Sequence, residues 1–233
     1  MKVLIIIPTL NEEKNISNLV NKILSLYNYN ILIIDDNSKD KTKNILKKFK
    51  SRFKRFDYLI RRNKKGIGSA HQDGILNAYK NNFDYCISMD ADGTHDPKQI
   101  KQMIKLIKSK NISVINTSRF VNKKSLEDWP PLRKFLTIFR FHLVSSILGT
   151  KFDSSGGFRC YDLNLINKKI FKQTKNKNYF FLIEILYILE KKNYKIIDIP
   201  AKLKYRVDGL SKMNIYFVLE ALLALVFLRY RSI

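Results

Sequence analysis

A chain of 233 residues with 45 % hydrophobic and 12 % aromatic content can bury a full globular core. Its net charge of +24 points to phosphate-bearing partners such as nucleic acid, an anionic membrane surface or a phosphorylated substrate, although the wealth of Lys, Asn and Ile also fits an AT-biased genome with many lysines merely solvated. Cys86 and Cys160 form no metal or redox spacing and suit a reducing compartment. The apolar start is too short for a signal peptide, and no stretch reaches the roughly 20 apolar residues of a membrane span; a cytoplasmic or peripheral location is expected.

Residues 3–7 have the composition of a buried strand. Asn11 or Thr9 can cap the next helix, where Ile16, Leu19, Val20, Ile23 and Leu24 recur with helical period. Residues 31–34 form a second strand ending in Asp35-Asp36, and Ser38 or Asp40 can cap a helix carrying Ile45, Leu46 and Phe49. A strand at residues 58–60, a helix after Gly68, a strand at 85–89, a helix from Pro97 and a strand at 113–117 complete the alternation. This predicts an α/β fold, a mostly parallel sheet flanked by helices, with ligands at the carboxyl ends of the strands. Those ends carry Pro8 to Glu12, Asp35-Asp36, Asp90 to Asp92 and Arg119.

The second half differs. Trp129-Pro-Pro131 breaks the chain, and residues 132–148 are strongly apolar, interrupted by Arg133, Lys134, Arg140 and His142. A polar loop at 153–159, a helix around 181–190, a strand at 195–204 broken by Pro200 and an apolar helix at 215–228 follow. The two apolar segments fit either core helices or C-terminal amphipathic helices lying on a membrane, with basic groups at headgroup level. No repeat or low-complexity linker divides the chain, so residues 1–233 read as one domain.

Asp90-Ala-Asp92 delivers two carboxylates at i and i+2 after a strand, where side chains on extended backbone point the same way. Such a pair repels unless a cation lies between, and a divalent metal is the usual partner; the other reading is a solvated turn. Gly66-Ile-Gly68-Ser-Ala-His71 is a poor dinucleotide fingerprint, since it lacks a third Gly and does not follow the first strand. The two glycines then relieve crowding where a helix starts, and His71 is structural.

Together, Pro8-Thr-Leu-Asn-Glu12, Asp35-Asp-Asn-Ser38 and Asp90-Ala-Asp92 resemble the inverting family 2 glycosyltransferases of the GT-A (Rossmann-like) fold. The nearest branch is that of the polyprenyl-phosphate glycosyltransferases, such as the dolichol-phosphate mannose synthases. Asn116-Thr-Ser-Arg119, Trp129 to Arg133, Asp153-Ser-Ser-Gly-Gly-Phe-Arg159 and Arg206-Val-Asp-Gly-Leu-Ser-Lys212 resemble later family segments, the last being the most specific. Leu10 stands where the family usually has Tyr, and Thr94 where it has a metal-linked Gln.

The resemblance implies transfer of a sugar, mannose first, from a GDP- or UDP-sugar to a polyprenyl phosphate. It implies nucleotide-sugar contacts at Pro8, Leu10, Glu12, Asp36, Asp90, Ala91 and Ser211, Mg2+ or Mn2+ on Asp90 and Asp92, and catalytic roles for Asp92, Arg119, Arg206 and Lys212. Arg133, Lys134, Arg140 and Arg159 fall on the acceptor and membrane side. Residues 1–125 then form the donor and metal half, and residues 126–233 the acceptor and membrane half, peripheral on the cytoplasmic face and with room for a separate membrane-anchoring partner.

Two rivals remain at this level. A family 2 enzyme acting on a sugar hydroxyl in polysaccharide or lipopolysaccharide synthesis needs a general base, for which Glu184 is the candidate; the same residue also reads as an ordinary helix acid paired with a cation. A basic nucleic-acid or membrane-binding module explains the charge but not the acids at strand ends, so no nucleic-acid partner is expected.

Overall fold

Strand β1 (Val3–Thr9) is apolar without alternation because both of its faces are covered. Val3, Ile5 and Ile7 enter one core cluster, and Leu4 and Ile6 enter the other, as the two-residue period of a strand between two helical layers requires. The computed structural model describes residues 1–63, 66–109, 111–127, 129–203 and 215–231, with backbone alone at 123 and 215–222.

β1 pairs in parallel with β2 (Asn30–Asp35) on one side and β4 (Tyr85–Ser88) on the other, and β3 (Phe56–Ile60) lies outside β2. The seven-stranded order is β3-β2-β1-β4-β6-β5-β7, with β5 at Val114–Ser118, β6 at Arg159–Asp162 and β7 at Ile196–Pro200. All pairs are parallel except those of β6, which runs antiparallel between β4 and β5. The expected mostly parallel sheet is present; β6 was not anticipated. Its sequence, Arg-Cys-Tyr-Asp, has no apolar run, because Arg159 and Asp162 are buried through hydrogen bonds rather than by being apolar.

Helices α1 (Ile16–Leu26), α2 (Thr42–Arg52) and α4 (Ile100–Ser109) cover one face, and α3 (Ile67–Lys80), α6 (Lys169–Gln173) and α7 (Phe181–Lys191) the other. Neither α1 nor α2 has a side-chain cap at its N-cap residue, Asn15 or Lys41. A cap contributes about 1 kcal/mol, whereas one fully buried Ile or Leu contributes about 1.5–3 kcal/mol, so the apolar stripes alone suffice. The caps expected from the sequence do other work. Asn11 Oδ1 accepts the Lys39 N–H at 2.8 Å, and the Ser38 hydroxyl donates to Asp35. Of the four, Asp40 comes nearest to its expected role, accepting the Thr42 N–H at 3.0 Å.

The expected C-terminal helices are α5 (Pro131–Leu148) and α8 (Ile215–Tyr230). They share a third cluster in which Val144, Leu148, Leu225 and Leu228 pack on Phe180, Ile183 and Tyr187. Outward, α5 exposes Leu132 (71 %), Phe135 (64 %), Leu136 (54 %) and Phe139 (56 %), the i, i+3, i+4, i+7 stripe of one helix face. The last turns of α8 expose Leu223, Val226, Phe227 and Tyr230. There α8 is apolar outside as well as inside, so it is not amphipathic in the expected sense.

Candidate active site

The loops after β1 and β2 are zipped together by short polar side chains. Ser38 Oγ accepts the Asn11 N–H at 2.8 Å, Thr42 Oγ1 accepts the Glu12 N–H at 3.0 Å, and Glu13 Oε2 accepts the Lys41 N–H at 2.8 Å. Asp35 is spent on this junction, accepting the Ser38 N–H at 2.8 Å. Pro8, Leu10, Glu12 and Asp36 therefore gather at the carboxyl ends of two adjacent parallel strands. Asp36 is buried in an ion pair with Arg61, whose guanidinium also donates to Ser69 Oγ (2.8 Å), Gly66 O (2.9 Å) and Asp73 Oδ2 (3.1 Å). Arg61 was not anticipated: an isolated Arg after a short strand carries no pattern.

The Asp-Ala-Asp segment is not strand. β4 ends at Ser88, so strand alternation is not what brings the two carboxylates together. The chain turns instead through Gly93 at φ +74°, and Asp92 Oδ1 closes the turn by accepting the Thr94 N–H (3.1 Å) and hydroxyl (2.7 Å). Asp90 and Asp92 still line one open cleft with Thr94, His95, Arg119, Trp129 and Arg133. Burial pushes the Asp90 carboxyl above its ordinary value; the charges of Asp92 and Glu12 add to this, and His95 and Arg119 oppose it. β1 and β4 are neighbours in the sheet, so the loop after β1 lies beside this one. Ala91 is buried in the core cluster beneath.

Arg119, in the same lining, is held by Asp153: Nε donates to Oδ2 at 2.8 Å and Nη2 to Oδ1 at 2.6 Å. Asp153 N–H donates in turn to Asp198 Oδ2 at 3.3 Å, and Asn116 Nδ2 to Asp198 Oδ1 at 2.7 Å. Burial pushes the Asp198 carboxyl up, the hydrogen bonds from Asn116 and Asp153 opposing it. Arg133, in the first turn of α5, lies over the Trp129 ring at 4.3 Å, so the Trp-Pro-Pro break aims a cation at the cleft wall. Lys134 is half-buried on the next position of α5. Arg140 is lowered to about 10, chiefly by burial and further by Arg119 and Arg133, with Asp153 opposing.

Arg159 was expected on the acceptor side, and the structure places it in the interior at 0 % exposure. Its fork donates to Asn116 Oδ1 (2.9 Å), Leu182 O (2.9 Å) and Ser154 O (2.6 Å), so it braces the cleft floor. His71 is buried against Phe181, and burial, with nearby Arg159, His95 and Arg61, lowers it to about 3; it stays neutral. Arg206, Ser211 and Lys212 lie outside the described residues.

Asp90 and Asp92, two carboxylates lining one open cleft, fit Mg2+ or Mn2+ completing its shell with phosphate oxygens and water. Among the described residues no group of three or more acidic, His or Cys side chains converges on one point.

The profile of Glycosyl transferase family 2 matches residues 4–174. The chain belongs to this family. It is 31 % identical over 223 residues to a UDP-N-acetylglucosamine–dolichyl-phosphate N-acetylglucosaminyltransferase of Methanococcus voltae, covering 89 % of this chain and 88 % of that one. It is 25 % identical over 224 residues to the polyprenol monophosphomannose synthase of Mycolicibacterium smegmatis, covering 95 % and 84 %. Among solved structures, glucosyl-3-phosphoglycerate synthase of Mycobacterium tuberculosis superposes with a TM-score of 0.66 in its UDP complex. The score is 0.62 in its complex with Mn2+, UDP and glucosyl-3-phosphoglycerate; in both cases identity is 13 %, over 98 % of this chain and 79 % of that one. The expected GT-A architecture and glycosyltransferase activity are thus those of the family.

Proposed function

We propose that this family 2 enzyme transfers a sugar from a nucleotide-sugar to a polyprenyl phosphate at the cytoplasmic face of a membrane. The observation that carries the reading is one cleft lined both by two carboxylates, Asp90 and Asp92, and by two guanidinium groups, Arg119 and Arg133. An acceptor that is itself an anion needs cations on its own side of the site as well as charge neutralisation on the donor side.

In this reading Pro8, Leu10, Glu12 and Asp36 hold the nucleoside. Asp90 and Asp92 hold Mg2+ or Mn2+, which would neutralise the departing diphosphate. Arg133, steadied by Trp129, meets the lipid phosphate, and Arg119 supports it from the same cleft. Arg206 and Lys212 are proposed for the leaving group on the sequence resemblance. A phosphate monoester has its second pKa near about 6, so the nucleophile is already ionised at neutral pH and attacks the anomeric carbon with inversion. No general base is needed, which agrees with the occupation of Glu184 elsewhere: its carboxylate accepts from the Lys175 and Asn176 N–H groups and from Arg231.

Mannose is the sugar that the sequence resemblance favours, while the Methanococcus relative carries N-acetylglucosamine in its name. No helix among the described residues is long and apolar enough to cross a membrane, and the outward stripe of α5 beside Arg133 and Lys134 supports docking from the surface. The test is incubation with labelled GDP-mannose, UDP-N-acetylglucosamine or UDP-glucose plus polyprenyl phosphate, with and without EDTA, and counting of the lipid fraction. Label in lipid from one donor, abolished by EDTA and by Asp92→Asn, is the expected result. Label appearing only in a polysaccharide acceptor would overturn the lipid reading, and full activity in EDTA the metal.

A further inference from the structure

One imidazole is hydrogen-bonded to the Asp90 backbone and turns its other nitrogen toward the Asp90 carboxylate. The Asp90 backbone N–H donates to His95 Nδ1 at 3.2 Å, and Nε2 of the same ring lies 3.8 Å from Asp90 Oδ2. A ring nitrogen that accepts from an amide carries no proton, so the imidazole has its proton on Nε2, the nitrogen that faces the carboxylate. The ring has little freedom to turn away. It is buried and stacked on Phe158 with centroids 5.0 Å apart, and the His95 backbone is bridged to Leu203 just beyond β7. Asp92 is fixed separately, by the Thr94 N–H and hydroxyl. Gly93-Thr94-His95 thus gives each carboxylate its own support.

We propose that His95 is the positioning residue of the cation site: with its proton on Nε2, it sets the direction in which Asp90 presents its carboxylate to the divalent ion. The inference rests on the metal-assisted reading above. Carboxylates that ligate metals are ordinarily hydrogen-bonded themselves, and loss of such a partner costs about 10–100-fold in metal affinity. His95 acts through Asp90 and is not itself a ligand.

The substitutions follow from the two contacts. His95→Asn keeps an acceptor where Nδ1 was and leaves nothing at Nε2; His95→Gln carries an N–H to about the reach of Nε2. Mn2+ affinity is read by electron paramagnetic resonance titration with UDP and, separately, GDP present, alongside thermal melting. The expected order is wild type, then His95→Gln, then His95→Asn, with His95→Asn about 10–100-fold weaker and its melting temperature close to wild type. Wild-type Mn2+ affinity in a folded His95→Asn protein overturns the inference, as do equal losses in both variants that track a fall in melting temperature.

A second measurement needs no variant. The chain has three histidines, so the side-chain nitrogen spectrum of the wild type can be assigned. A His95 protonated on Nε2, whose Nε2 signal shifts on adding Mg2+ with nucleotide, supports the inference; one protonated on Nδ1 overturns it. Failure of the wild type to bind Mn2+ with either nucleotide removes the metal reading and this inference with it. Equal binding by wild type and variants removes this inference alone.

Discussion

The Cβ that Gly157 lacks would stand 2.8 Å from Oδ1 of Asp90. The backbone there cannot easily retreat, because the Ser88 hydroxyl donates to Gly157 O at 2.6 Å from inside the sheet. Gly157→Ala should therefore displace the Asp90 carboxylate, raising the Mn2+ concentration needed for half-maximal activity by about tenfold or more. Gly156→Ala is the control, since its Cβ would meet only Thr117 O at 3.4 Å. Metal titrations of both variants check this; an unchanged titration for Gly157→Ala means that Asp90 is not confined by this loop.

That relationship could not be read from the chain. The strands and most helices could, because long apolar runs and 3.6-residue periods report burial directly. β1, α1 and the alternation up to β5 stand where the pattern put them. β6 was invisible because its burial is polar, Arg159 being satisfied by Asn116, Ser154 and Leu182, and α6, with five residues, is too short to show a period. The acidic half of the cleft was legible as clustered carboxylates at strand ends. Its supports were not: His95 lies inside the Asp90–Pro97 segment, but what it holds is a backbone amide and a carboxylate five residues back, a contact that exists only once the turn has closed.

The Arg119–Asp153 pair predicts a pH dependence. Burial alone would raise Asp153, but the charge and hydrogen bonds of Arg119, with Arg140 behind, overcome it and hold the carboxyl below its ordinary value. A carboxyl depressed in the folded state contributes stability that is present above its unfolded value, about 3.9, and lost as pH falls through the folded value. Asp153→Asn should cost about 3–5 kcal/mol at neutral pH, as for breaking a buried pair. The gap to wild type should narrow below about pH 4, where the carboxyl of the unfolded chain takes up its proton ahead of the folded one. Urea unfolding across that range measures it, and a pH-independent gap would contradict the ion-pair account.

The outward stripe of α5 should bind lipid. Phe135→Ser with Phe139→Ser removes two side chains, each contributing up to about 1.5–3 kcal/mol if fully buried in the interface. Sedimentation with anionic vesicles should fall at least tenfold by that arithmetic, while turnover of a water-soluble short-chain polyprenyl phosphate stays unchanged. High salt should weaken the wild type as well, since each basic residue near such a surface contributes about 1 kcal/mol within a Debye length. Wild-type sedimentation by the double variant would move the lipid contact off α5.

Glu184 separates the two acceptor chemistries. Its buried carboxylate accepts the Lys175 N–H at 2.9 and 3.0 Å, the Asn176 N–H at 2.9 Å and Arg231 Nη1 at 2.8 Å, while Arg231 Nη2 donates to Gln173 O at 2.7 Å. It thereby ties the end of α8 to the loop before α7, and that loop in turn accepts the Ser69 N–H through Lys177 O at 3.0 Å. Glu184→Gln replaces one acceptor oxygen by an NH2 among N–H donors, so it should cost about 1–3 kcal/mol of stability. With polyprenyl phosphate as acceptor no proton leaves the nucleophile, and the folded variant should keep its rate to within a few-fold. A lost general base would instead cost about 10²–10⁴-fold. Melting curves and single-turnover rates on the same preparations distinguish the cases: a lower melting temperature with a retained rate is expected, whereas an unchanged melting temperature with a rate down about a thousandfold would make Glu184 the base and the acceptor a hydroxyl.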